Sequence, residues 1–123
     1  IRRTSRTAMR DEYEITDSIQ ILIELGYDVR TCTDIVHDLN LTYPRDLLDL
    51  NLWALKHEGL DRYIADTARI GPGAVIEHSV VGAGAVVGAG AVLKNSVVFA
   101  GATVSPERRL EDVLVTESDI CRP

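Results

Sequence analysis

The stretch IEHSVVGAGAVVGAGAVLKNSVV, Ile76 to Val98, decides the fold. Within it V-GAGA-V occurs twice, and IEHSV at one end answers LKNSV near the other. Working outward, large aliphatic residues stand at Ile64, Ile70, Ile76, Val81, Val87, Leu93, Val98, Val104, Leu110 and Val115. The steps between them run six, six, five, in that order three times over. Three steps span 17 residues, so Ile76, Leu93 and Leu110 recur in phase, as do Ile64, Val81, Val98 and Val115. Such a period predicts a three-sided coil with a short strand on each side and successive coils stacked in parallel register.

The same pattern predicts side-chain directions. Four residues after each large marker comes Ala68, Ala74, Val80, Ala85, Ala91, Val97, Ala102 or Leu114. Marker and follower are expected to point inward together, large beside small. Gly71, Gly82 and Gly88 are expected at corners, where the backbone needs freedom that a Cβ restricts. Arg108 falls on a follower position, where an inward charge is costly. With Pro106 just before it, VSPERR is expected to bulge outward and interrupt the coil. His78, Asn95 and Asp112, each third in a five-residue rung, read as one polar turn slot.

V-GAGA-V resembles the hexapeptide repeat of left-handed parallel β-helices, and the match covers Ile64 to about Cys121. The resemblance implies the left hand and about three and a half coils. Many hexapeptide-repeat proteins are acyltransferases with a histidine base, which brings His78 forward. The polar turn slot is the competing reading, and it accounts for Asn95 and Asp112 as well. His37 and His57 precede the coil and have no partner at a catalytic spacing. The coil therefore reads as structural or oligomerising, with a homo-oligomer expected through it.

Composition narrows the remaining classes. The chain has 123 residues and a net charge of −6, and both halves are mildly acidic. A nucleic-acid groove needs a dense basic face, so no nucleic-acid partner is expected. Cys32 and Cys121 lie far apart without metal-ligand spacing, as free thiols in a reducing, cytoplasmic setting would. No apolar run approaches the ~18 residues of a membrane span, and no signal peptide opens the sequence. Because the chain opens on Ile1 and not Met, it is expected to be a fragment of something longer.

Two helix patterns precede the coil. In EYEITDSIQILIELGYDV, Thr16 or Asp17 can cap the helix start, Ile19, Leu22, Ile23 and Leu25 give an apolar face, and Gly26 ends it. YDVRTCTDIVHDL then reads as one or two strands with irregular alternation. In TYPRDLLDLNLWALKHEG, Pro44 suits a first turn and Gly59 a stop. The apolar residues Leu47, Leu48, Leu50, Leu52, Trp53 and Leu55 nearly surround this helix, which asks for burial on more than one side.

EYEITDSIQILIELGYDV resembles the late segment of sugar-1-phosphate nucleotidyltransferases, where an ITD motif opens a helix. LTYPRDLLDLNLWAL resembles their following motif, usually W-x-D-x-G-T-P-x-D-L-L-x-A-N. A hexapeptide tail after that motif is found in long-form glucose-1-phosphate thymidylyltransferases and mannose-1-phosphate guanylyltransferases, and RRLEDVLVTESDI resembles their ending. The resemblance runs from about Arg10 to Ile120. It implies residues 1–60 as the α/β end of a catalytic domain and residues 61–123 as the β-helix domain of a mainly β chain. It implies sugar 1-phosphate and a nucleoside triphosphate as substrates and Mg2+ as cofactor. Thr16, with Glu14 and Asp17, falls where the family approaches the sugar. The family's metal-binding aspartate aligns with Asn40, and Asp38 stands two residues earlier where the tryptophan would be. A carboxamide oxygen can serve a hard cation, and a turn asparagine beside a helix-flanking aspartate explains the same residues.

The family's glycine-rich nucleotide loop, with its arginine and later lysine, has no counterpart here. The glycines of GAGAVVGAG lie in no strand-then-helix pattern, and no basic residue follows them closely. The chain alone is therefore expected not to transfer a nucleotidyl group. A non-catalytic interaction module is the alternative, and a hexapeptide acyltransferase the third.

Overall fold

From Tyr63 onward the chain coils as its 17-residue period requires. The computed structural model describes Thr4, Arg6 and residues 13–123. One side of the coil is built from β1 (Tyr63–Ile64), β4 (Val80–Val81), β7 (Val97–Val98) and β10 (Leu114–Val115). The second side holds β2 (Arg69–Ile70), β5 (Val86–Val87) and β8 (Thr103–Val104). The third holds β3 (Val75–Glu77), β6 (Val92–Lys94) and β9 (Arg109–Glu111). Pairing along each side is parallel, with Tyr63 opposite Val80, Arg69 opposite Val86 and Ile76 opposite Leu93. The result is a parallel β-solenoid of about three turns. β11 (Ile120–Cys121) turns back antiparallel on β10 and covers the last edge of the first side.

Alternation along these short strands fills the interior. Ile76, Val81, Val87, Leu93, Val98, Val104, Leu110 and Val115 are buried together with Ala85, Ala91 and Ala102. Each large side chain gains roughly 1.5–3 kcal/mol from burial, and the alanines keep the tube narrow. The markers from Ile76 to Val115 thus point inward as expected, with Ile64 partly buried against them, whereas Ile70 in the first coil is exposed. The five-residue rungs differ from expectation. Ser79, Ser96 and Val113 occupy their inner slot, not Val80, Val97 and Leu114. Counting back from Val81 explains it: Val81 points in, Val80 out and Ser79 in. A buried serine is tolerable here because it is satisfied. Ser79 Oγ donates to the Glu77 carbonyl at 2.6 Å and accepts from the Ser96 amide at 3.0 Å. Ser96 repeats the arrangement with Lys94 and Val113.

Two further expectations are corrected. Gly71, Gly82 and Gly88 are not required by left-handed backbone; they are required by the next coil. A Cβ on Gly82 would stand 2.6 Å from the Ala100 amide nitrogen, and one on Gly88 would strike Pro106. The left-handed glycines are Gly73, Gly84, Gly90 and Gly101. VSPERR does not interrupt the coil either. Glu107 takes the left-handed corner at φ 58°, and its amide donates to the Ala89 carbonyl. The Val92 amide donates to the Arg108 carbonyl at 2.8 Å, so register continues. Arg108 lies in the last coil and is exposed, which spares its charge the cost of the interior. Arg62 is its counterpart at the first coil, 17 residues before Ser79, and donates to the Ile76 carbonyl.

The chain divides into two compact units, Ile1–Asp38 and Leu39–Pro123, so α2 (Pro44–His57) belongs with the solenoid. Pro44 opens this helix, and the Asp46 carboxylate accepts hydrogen bonds from the Thr42 and Tyr43 amides, both at 2.8 Å. Those two amides hold the Asp46 carboxyl below its ordinary pKa. Gly59 ends the helix at φ 67°, its amide donating to Lys56 and that of Leu60 to Leu55. One face lies on the outward row of the first sheet. Leu48 is buried against Val97 and Leu114, with Leu47, Leu52, Val80, Phe99 and Cys121 packed around them. Val80, Val97 and Leu114 thus serve a second core outside the tube. Leu50 and Trp53 are only half-buried, so α2 is covered fully on one side.

The first unit contains α1 (Ile15–Glu24). Gly26 ends it in the left-handed region, with the Tyr27 amide donating to the Leu22 carbonyl. Its start is corrected: Glu14 is the N-cap residue, Thr16 and Asp17 lie inside the first turn, and no side chain caps the helix. Thr4 Oγ1 and Ser18 Oγ share a hydrogen bond of 2.7 Å. The stretch YDVRTCTDIVHDL forms no strand. β-structure needs a ladder with a neighbouring strand, and no ladder among the described residues includes these; Ile35 and Val36 are 77% and 83% exposed.

Candidate functional site

The residues singled out by motif fall in two places. Glu14, Thr16 and Asp17 occupy the N-cap and first turn of α1, so one helix start presents two carboxylates and a hydroxyl. Thr16 and Asp17 are exposed and Glu14 is half-buried. Asp17 also suits the positive end of the helix dipole, which is reason enough for an acid there. Asp38 ends the first unit and Asn40 lies in the second, both exposed in irregular chain. The structure therefore groups these three residues at one helix start.

Magnesium, implied by the resemblance, finds no complete donor set. Among the described residues no three His, Cys, Asp or Glu side chains come together as a metal site. Asp38 and Asn40 each carry an oxygen donor of the right hardness, and a hard cation takes six or more oxygens.

His78 lies where the turn-slot reading placed it. His78, Asn95 and Asp112 all have positive φ, at 43°, 45° and 54°. The Asn95 amide donates to the Glu77 carbonyl and the Asp112 amide to the Lys94 carbonyl, which stitches the corner from coil to coil. Sequence reasoning missed the partner of His78. Its Nε2 lies 3.1 Å from Asp61 Oδ1, in the short link between α2 and β1. Asp61 precedes the coil by so little that the period gave it no meaning. Both side chains are mostly exposed, so the pair contributes little stability. Alongside them runs a groove bordered by the last turn of α2 and by Asn95.

The two cysteines are free, Cys32 exposed and Cys121 half-buried beside Leu114. No helix among the described residues is long and apolar enough to cross a membrane. No protein-family model, curated protein or solved structure matches this chain.

Proposed function

We propose that this chain forms the sugar-side helices and the C-terminal coil of a sugar-1-phosphate nucleotidyltransferase. The observation that carries the reading is order along the chain. EITD stands at the start of α1, PRDLL at the start of α2, and α2 leads directly into a hexapeptide coil. The left hand of the coil belongs to the same reading.

In the reaction a phosphate oxygen of sugar 1-phosphate attacks the α-phosphorus of a nucleoside triphosphate. The bond from that phosphorus to the bridging oxygen breaks, and pyrophosphate leaves. Such a step depends on positioning and on stabilising charge, with little covalent work for the protein. The part assigned to this chain is positioning. The Thr16 hydroxyl, on an exposed first turn, is suited to donate to or accept from a sugar hydroxyl. Glu14 and Asp17 can accept from neighbouring hydroxyls. Asp38 and Asn40 are the positions the resemblance assigns to Mg2+. The coil supplies assembly into a homo-oligomer.

Thr16 gives the test. In the enzyme that contains this chain, Thr16→Val should raise KM for sugar 1-phosphate at least several-fold and leave KM for the nucleotide nearly unchanged. Equal effects on both substrates, or none, would remove Thr16 from the sugar site. The departure of Asp38 and Asn40 from the family's metal motif favours a second reading, a non-catalytic assembly module. It predicts a defined oligomer by sedimentation and no Mg2+-dependent binding of either substrate.

A further inference from the structure

The groove beside His78 is open to solvent and has a volume of about 490 Å3, within the ~300–1,000 Å3 common for small-molecule sites. Leu52, Leu55 and Leu60 give it apolar lining, and Lys56, Asp61, His78 and Asn95 bring polar groups to it. All belong to the unit Leu39–Pro123.

Two of those polar groups are uncommitted. The Lys56 ammonium and the Asn95 carboxamide have no side-chain partner among the described residues. His78 engages Asp61 through Nε2, which leaves Nδ1 free of that contact. His78 and Asn95 hold left-handed corners, as do Glu107 and Asp112, which do not line the groove.

We infer that this groove binds a small monocarboxylate with a hydrocarbon body. Lys56 and the Asn95 amide group donate to the carboxylate, and the three leucines cover the hydrocarbon. The Asp61 carboxylate and the negative end of α2 beside Gly59 stand against a second negative charge, so a phosphate dianion is disfavoured. A ligand seated there would touch both α2 and the coil, and would stiffen the packing of one on the other.

The test uses the 123-residue chain, labelled with 15N and titrated with hexanoate, hexan-1-ol and inorganic phosphate. Hexanoate should shift the amides of Gly59, Asp61, His78 and Asn95 saturably, with Kd below ~10 mM. Lys56→Met and Asn95→Gly should each weaken it about tenfold, the equivalent of ~1.4 kcal/mol. Glycine keeps the left-handed corner, so the second variant stays folded if the first does not. Absence of saturable shifts, or unchanged affinity in both variants, would overturn the site. Equal saturation by hexan-1-ol or by phosphate would overturn the ligand class.

Discussion

Glycine does two different jobs in this coil, and substitution separates them. Gly88 has ordinary backbone but lies against Pro106 of the next coil, so a Cβ there meets backbone. Gly84 has φ +67° and open space around it. Gly88→Ala should therefore cost about 2–3 kcal/mol by overpacking, and Gly84→Ala about 1–2 kcal/mol from the left-handed corner alone. Urea denaturation of the two variants checks the order; a larger loss at Gly84 would contradict it. The sequence alone suggested corners for Gly71, Gly82 and Gly88, because spacing marks a special glycine without saying whether φ or proximity makes it special. The slot shared by His78, Asn95 and Asp112 was legible, since small polar residues tolerate positive φ. The inner serines were not. Ser79 and Ser96 look like surface residues until their hydroxyls are seen paired inside the tube.

Among the elements, α2 is held at both ends and along one face. The Asp46 carboxyl is kept below its ordinary value by the Tyr43 and Thr42 amides. A lowered folded pKa stabilises the folded form above the ordinary carboxyl value, and that contribution is lost as pH falls through the folded value. Lowering pH from about 5 should thus loosen α2, and Asp46→Asn should remove that part of the acid dependence. Helical circular dichroism against pH measures it; an unchanged acid limb would contradict the assignment. Leu48 carries the face. Leu48→Ala should destabilise the protein by about 2–4 kcal/mol, read from the urea midpoint. The stops of both helices and the start of α2 were legible, through Gly26, Gly59 and Pro44. YDVRTCTDIVHDL was misread as strand because β-branched residues give propensity, whereas a strand exists only with a neighbour to bond. That Val80, Val97 and Leu114 face α2 could not be read either. A five-residue rung shifts parity by one, and only the register shows where the missing residue lies.

At the scale of the molecule, repetition determines shape. The 17-residue period fixes three sides and a parallel register before any coordinate is known. Arg62 and Arg108 fall on inward-slot positions of the repeat in the first and last coils, yet both are exposed. The proposed function rests on EITD and PRDLL, before the coil, and they were readable only as a resemblance. Side chains of Glu14, Thr16 and Asp17 share one helix turn, but a sugar site needs more walls than one turn provides. The most direct measurement is pyrophosphate release from nucleoside triphosphate and sugar 1-phosphate, assayed with Mg2+. It should be run on the 123-residue chain and on the polypeptide encoded by the whole gene that contains it. The account predicts release by the gene product that requires both substrates, and none by the chain alone. No release by the gene product with any nucleotide and sugar pair would contradict the proposed function, and release by the chain alone would contradict the need for a glycine-rich nucleotide loop.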